Sequence, residues 1–137
     1  FLTGDPARAG LAPESVPANV TLTGLLPRPR FLALMAACDA ALTLTLRPDT
    51  LLWSIRECLA LGVPFTATDS AVTRAEFDGL GEFSAHDPDA LRAALLRAVE
   101  RRAERAEACD AYIARDLERW DRQMAELRAR MAPGGGG

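Results

Sequence analysis

Short extended runs alternate along the chain with segments in which apolar residues recur at helical spacing. Extended segments are predicted at residues 1–3, 20–23, 40–46, 63–68 and 82–85, where small polar and apolar residues follow one another. Helices are predicted at residues 31–38, 50–61 and 73–77, from residue 88, and at 102–131. Because strands and helices alternate, the pattern predicts an α/β structure with a mainly parallel sheet.

Residues 43–68 predict a strand, a helix and a second strand in direct succession. The helix is expected to begin after Pro48, with Asp49 or Thr50 as its cap, and to bury one apolar side formed by Leu52, Trp53, Ile55 and Leu59. Gly62 suits the left-handed position after a helix, and Pro64 prevents the helix from continuing. The segment therefore predicts a parallel crossover, and ligands of such units collect at the carboxyl ends of the strands.

Two further helices close the sequence. Asp87 and Pro88 are typical of a helix start, and the helix that follows is expected to bury Leu91, Leu95, Leu96 and Val99. In the last helix, apolar residues repeat with a seven-residue spacing at Ile113, Leu117, Trp120, Met124, Leu127 and Met131. A coiled coil and a helix that lies across a neighbouring domain both explain this stripe.

Composition narrows the class of protein without naming a chemistry. A chain of 137 residues with 49% hydrophobic residues can form a packed domain, and a net charge of −3 gives no sign of nucleic-acid binding. Three cysteines without pairing or metal spacing, and no apolar run of ~18 residues, favour a cytoplasmic protein without a transmembrane segment. The start at Phe1 without Met suggests a piece of a longer protein, and residues 133–137 are expected to form a flexible Gly tail.

Most familiar catalytic patterns are missing. His86 is the one histidine, so a Ser-His-Asp triad or a zinc site made by the protein alone is not expected. The Gly-x-Gly-x-x-Gly pattern of dinucleotide-binding proteins does not occur, and Gly79 and Gly81 are expected to serve turn geometry.

Asp49 and Glu57 are the candidate site residues that remain. Eight residues correspond to a little over two helical turns, so both carboxylates are expected on roughly one side of the helix. A carboxylate can accept hydrogen bonds from two adjacent hydroxyls of a ribose or a sugar. Asp49 can equally be a plain helix cap, and Glu57, expected among buried residues, can equally pair with Arg56 or another arginine.

The order of these segments resembles family 4 glycosyltransferases. The resemblance rests on NVTLTGLLP, ACDAALTLT, the two acids with seven residues between them, and ECLALGVPFTATDS, and it extends from about Gly4 to Met131. It implies the C-terminal, nucleotide-sugar-binding half of a two-domain type B fold, which is a Rossmann-like three-layer domain with a long C-terminal helix. The expected division is 1–101 for the Rossmann-like domain without its first strand and helix, 102–132 for the helix, and 133–137 for the tail.

The resemblance also implies an activity and a role for each site residue. A hexosyl-type transferase would move a sugar from a nucleoside diphosphate sugar to an unknown acceptor, retaining the anomeric configuration and needing no metal or other cofactor. Glu57 would bind the ribose and Asp49 would face the transferred sugar. The backbone of Thr50, Leu51 and Leu52 would approach the diphosphate. Leu25 and Leu26 would lie beside the base.

Partners and location follow from the same resemblance. The acceptor would be bound by an N-terminal domain of the same protein, and a peripheral contact with the inner face of the membrane remains open. In the family the first acid is Glu, and Gly-Phe-Gly stands where this chain has Thr50, Leu51 and Leu52. The Arg/Lys pair that holds the diphosphate lies on the missing first strand and helix, so this chain alone is expected to be inactive. A non-catalytic scaffold or a helical interaction module are the alternatives.

Overall fold

The structure is a computed structural model that describes residues 1–8 and 10–131. The predicted Gly tail at 133–137, and residue 132 at the predicted end of the last helix, lie outside the described residues. The chain divides into two compact units, Phe1–Ala37 and Cys38–Gly137.

The first unit contains a two-stranded parallel sheet and one helix. Its strands are β1 (Leu2–Thr3) and β2 (Leu22–Gly24), with Leu2 opposite Leu22 in the register. A 3₁₀ helix at Pro13–Ser15 lies between the two strands in sequence. Helix α1 (Arg28–Ala36) starts directly after Pro27 and buries Met35. The two strands and the helix predicted in this unit are confirmed, although the helix begins at Arg28, earlier than the predicted residue 31.

The second unit carries the larger sheet and four helices. In chain order it contains β3 (Ala41–Thr43), α2 (Trp53–Ala60), β4 (Phe65–Thr68), α3 (Ala71–Phe77), β5 (Glu82–Ser84), α4 (Pro88–Glu100) and α5 (Arg102–Met131). The strand order is β3-β4-β5, and both pairings are parallel. A mixed α/β structure with small parallel sheets and a long C-terminal helix is therefore confirmed.

The core of this unit forms between the sheet and the helices, and α2, α3 and α5 contribute its large side chains. Ile55, Cys58 and Leu59 of α2 are buried, as is Phe65 at the start of β4. Phe65 packs edge-on against Phe77 of α3, with ring centroids 6.5 Å apart. The Phe77 ring lies 5.7 Å from that of Tyr112 of α5, so aromatic contacts connect the sheet to the last helix.

Helix α2 ends as the sequence predicts. Gly62 has φ +64°, a left-handed conformation that residues with a Cβ adopt only with strain. The N–H of Gly62 donates to the carbonyl of Leu59, and that of Val63 donates to the carbonyl of Cys58 at 2.9 Å. These two bonds form a Schellman motif, which turns the chain directly into β4.

The start of α2 differs from the prediction. The helix begins at Trp53, and the residue before it, Leu52, is extended with φ −82° and ψ 129°. Asp49 and Thr50 therefore do not cap the helix, and the N–H groups of residues 50–52 belong to the preceding loop. Trp53 is 66% exposed, so its predicted place on the buried side is also wrong.

Helix α4 begins as predicted but buries a different face. The carboxylate of Asp87 accepts a hydrogen bond from the N–H of Ala90 at 2.9 Å, which confirms the cap. The fully buried positions are Ala94 and Ala98, whereas Leu96 and Val99 are exposed. Small side chains let the helix backbone approach β4 and β5 closely, which large leucines would prevent.

Helix α5 packs mainly along its N-terminal part. Arg105 is buried, and Cys109, Tyr112 and Asp116 are partly buried, at positions that follow one another by four, three and four residues. The predicted apolar stripe starts within this segment, at the partly buried Ile113, and lies about 100° around the helix from the packed positions. Leu117 is 61% exposed and Trp120 is 58% exposed, so these two positions of the stripe do not pack against the rest of the unit.

Candidate functional site

The carboxyl ends of the three parallel strands carry a row of polar side chains. The hydroxyl of Thr68, at the end of β4, accepts a hydrogen bond from the N–H of Thr45 at 2.8 Å. The same oxygen lies 2.9 Å from Nε2 of His86, which follows β5. One hydroxyl therefore joins the segments that leave all three strands, at the edge where parallel sheets present their ligand sites.

A charged pair follows β4 at this edge. Arg74 of α3 donates to both carboxylate oxygens of Asp69, at 2.6 and 2.8 Å. This bidentate contact holds the pKa of Asp69 below its usual value. The Arg74 guanidinium also lies 5.1 Å from the centroid of the Phe83 ring. Asp69 thus stays ionised and paired with Arg74, and it does not offer an unshared acid to a substrate.

The loop before α2 contains four of the predicted site residues. Asp49 lies in an exposed turn and Leu51 is exposed, while Thr50 and Leu52 are partly buried. No side chain among the described residues caps the N-terminus of α2. The amide dipoles of its first turn therefore face a loop that also carries the Asp49 carboxylate.

Glu57 lies in the second half of α2 and is partly exposed, whereas the sequence predicts that it is buried. Its neighbour Arg56, which the sequence offered as a pairing partner, donates instead to Glu76 at 2.8 Å and also to Asp116. Since Asp49 lies outside the helix, the helical spacing that was to place Asp49 and Glu57 on one side does not extend to Asp49.

The remaining two predicted site residues belong to the first compact unit. Leu25 and Leu26 follow β2, after Gly24 at φ +65°. Leu25 is exposed and Leu26 is partly buried. The structure therefore gathers Asp49, Thr50, Leu51 and Leu52 in one loop, and Glu57 lies on the helix that follows this loop. Leu25 and Leu26 belong to the other compact unit.

Sequence reasoning missed the Thr45–Thr68–His86 row. The sequence pattern indicates only a loop position for His86 and strand positions for the two threonines. The sequence contains a usable signal, because each of the three residues lies at or next to the carboxyl end of a predicted parallel strand. The carboxyl ends of such strands meet at one edge, which brings residues far apart in sequence together.

The comparisons with known proteins leave the family open. No protein-family model, no curated protein and no solved structure matches the chain. Within residues 1–8 and 10–131, no three His, Cys, Asp or Glu side chains are grouped so that they could hold a metal ion. In the same residues, none of the helices combines the length and the apolar character needed to cross a membrane.

Proposed function

We propose that the chain is the donor-site half of a retaining, family 4-like glycosyltransferase that uses a nucleoside diphosphate sugar. The observation that carries the proposal is the parallel β3–α2–β4 crossover, in which α2 starts without a side-chain cap next to the exposed Asp49. A helix N-terminus attracts phosphate oxygens through its N–H groups and its dipole. In this proposal no other cofactor is needed.

The Rossmann-like, three-layer arrangement is part of the proposal. Thr66 pairs in register with Glu82, so the neighbouring Phe65 points to the opposite face of the sheet. Phe65 contacts Phe77 of α3, whereas Glu82 accepts a hydrogen bond from Arg97 of α4 at 3.0 Å. Contacts with helices on both faces support a sheet between two helical layers.

In this proposal each site residue keeps the role that the resemblance implies. Glu57 binds the ribose hydroxyls, and Asp49 faces the transferred sugar. The first turn of α2 and the loop Thr50, Leu51 and Leu52 bind the diphosphate, and the base lies beside Leu25 and Leu26. The acceptor is bound by an N-terminal domain of a longer cytoplasmic protein, which can contact the inner face of the membrane.

Ligand-observed NMR tests the donor site. UDP-, GDP-, ADP- and dTDP-hexoses are titrated against the 137-residue chain, with Glu57→Ala as the variant and Glu118→Ala, an exposed acid of α5, as the control. We expect one donor series to bind and Glu57→Ala to weaken it about tenfold, as for a lost hydrogen bond to a charged group. The proposal fails if no donor binds the folded chain, or if both variants bind like the parent.

A second candidate function is protein interaction through α5, as part of a scaffold without chemistry. The exposed side chains of Leu117, Trp120 and Leu127 favour it, because monomeric proteins rarely leave such contiguous apolar surface uncovered. Sedimentation velocity is expected to show association that Leu117→Glu abolishes and Ala111→Glu, off the stripe, does not. Sedimentation as a monomer at high concentration would remove this candidate.

A further inference from the structure

A cavity lies at the end of the sheet opposite to the proposed donor site. It is lined by the end of α2, the start of β4, the beginning of α5, Ala98 of α4 and Leu80, and its volume is about 230 Å³. Leu59, Val63, Phe65 and Leu80 form much of its wall, so it is mainly apolar. None of the predicted site residues lines it.

One charged side chain breaks this apolar wall. Arg105 of α5 lines the cavity although only 8% of the residue is exposed. Its guanidinium forms an ion pair with Glu82. Its Nε, however, is buried without a hydrogen-bond partner among the described residues. A buried N–H of a charged group without an acceptor is costly, which indicates that this site is suited to a ligand oxygen.

The charges around Arg105 favour an anion. The Glu82 carboxylate is shared by three arginines, Arg97 at 3.0 Å, Arg101 at 3.5 Å and Arg105. Two acids balance the other two arginine charges, since Glu104 pairs with Arg101 at 2.6 Å and Asp110 lines the cavity. Arg102 also lines it, which leaves the surroundings of the cavity positive.

The two thiols of the wall add no charge. Burial raises the pKa of Cys58 to about 12. Burial also raises the pKa of Cys109. The thiol of Cys109 donates a hydrogen bond to the carbonyl oxygen of Leu80, at an S···O distance of 3.7 Å. Both thiols are therefore protonated at neutral pH, and the wall beyond the arginines accommodates an apolar group.

We infer that this cavity binds a small monocarboxylate with an apolar body, whose carboxylate accepts a hydrogen bond from Nε of Arg105. The volume sets the size of the ligand: it exceeds the ~150 Å³ of a protein cavity that takes up benzene. It stays below the ~300 Å³ at which pockets for drug-sized ligands begin. Benzoate and hexanoate fall in this range.

Binding of these two acids is compared with that of benzyl alcohol and hexan-1-ol, which have similar bodies and no charge. We expect the acids to bind the 137-residue chain about tenfold more tightly than the alcohols, as for a hydrogen bond to a charged group. Arg105→Gln should abolish this preference and keep the alcohol affinity. Arg101→Gln is the matched control, because Arg101 shares Glu82 but does not line the cavity.

Ala106→Leu tests the location without touching the ion pairs. Ala106 lines the cavity and is otherwise exposed, so a leucine there should fill the cavity and abolish binding of acids and alcohols alike. Should Arg105→Gln not fold, the ratio of acid to alcohol affinity in the parent and its loss in Ala106→Leu decide the outcome. The inference would be overturned if the parent binds acids and alcohols equally or binds neither. It would also be overturned if both arginine variants lose the preference for acids to the same extent, or if Ala106→Leu binds like the parent.

Discussion

Gly81 lies directly against the Phe65 ring. A Cβ at this position would overlap Cε2 and Cζ of that ring, and both residues are buried in the core of the second unit. Gly81→Ala is therefore expected to lower the free energy of unfolding by about 1–3 kcal/mol, measured by urea denaturation. Because the clash is with Phe65, the double variant Gly81→Ala with Phe65→Leu should lose less free energy of unfolding than the two single variants lose together. A loss equal to the sum of the two single losses would contradict this explanation.

Thr66 and Thr68 lie on the same face of β4 but differ in hydrogen bonding. The hydroxyl of Thr66 is buried without a partner among the described residues, whereas that of Thr68 bonds to Thr45 and His86. Replacing an unsatisfied hydroxyl by a methyl removes a desolvation cost, so Thr66→Val is expected to stabilise the fold by about 1 kcal/mol. Thr68→Val should destabilise it, and thermal melts that shift in the same direction for both variants would refute the prediction.

Glu82 makes the stability of the fold depend on pH. Burial alone would raise its pKa, but hydrogen bonds from Arg105 and Arg97 and their charges outweigh burial and hold the pKa below its usual value. As the pH falls, Glu82 therefore takes up its proton in the unfolded chain before it does so in the folded one. The contribution of Glu82 to the free energy of unfolding is complete above the usual pKa and is lost as the pH falls through the lower pKa of the folded state.

Glu82→Gln should reduce stability by about 3 kcal/mol at neutral pH, because Arg105 loses a buried anionic partner. The dependence of the melting temperature on pH between neutrality and pH 3 should become shallower in this variant. Glu118→Gln, which removes an exposed acid of α5, should leave that dependence as it is in the parent. Equal slopes for the parent and Glu82→Gln would show that Glu82 does not drive the acid sensitivity.

Two groups of contacts attach α5 to the rest of the second unit, and both lie before residue 120. Arg105 pairs with Glu82, and further along Tyr112 and Arg119 donate to Glu76 at 2.8 and 3.1 Å. Beyond residue 120, only Met124 is partly buried among the described residues. Removing residues 121–137 is thus expected to change the free energy of unfolding by about 1 kcal/mol or less, since surface residues contribute little.

Removing residues 105–137 takes away both groups of contacts and should prevent stable folding. Circular dichroism and urea denaturation of the two truncated chains measure the difference. A loss of several kcal/mol in the shorter truncation would mean that the second half of α5 contributes to the fold, contrary to the contacts that the structure describes.

Local signals explain which features of these helices and strands could be predicted. Gly62 and Asp87 act within a few residues of themselves, so the end of α2 and the start of α4 were read correctly. The buried face of α4 depends on how closely it approaches the sheet, which apolar spacing does not report. The Arg105–Glu82 pair joins residues 23 positions apart, and no local pattern marks it.

The candidate site was predictable to the same degree. Parallel strands and their carboxyl edge follow from the alternation of segments, so the position of the Asp49 loop could be anticipated. The start of α2 at Trp53 depends on the extended backbone of Leu52, whose side chain is equally compatible with a helix. Tertiary packing therefore decided the detail on which the predicted geometry of Asp49 and Glu57 rested.

The division into two units leads to a prediction about independent folding. All buried apolar side chains of the described residues except Met35 belong to Cys38–Gly137, as does the three-stranded sheet. Chains shorter than ~40 residues seldom fold without a disulfide or a metal, whereas ~100 residues are enough for a stable core. The fragment 38–137 is therefore expected to fold by itself, and the fragment 1–37 is not.

Amide NMR spectra of the two fragments and the full chain provide the test. Cross-peaks of β3, β4 and β5 should be dispersed in fragment 38–137, because its aromatic contacts between Phe65, Phe77 and Tyr112 remain complete. Fragment 1–37 should give the narrow amide dispersion of an unfolded peptide. An unfolded 38–137 fragment would mean that its own core is insufficient, and that the first unit supplies stability that the buried residues of the second do not account for.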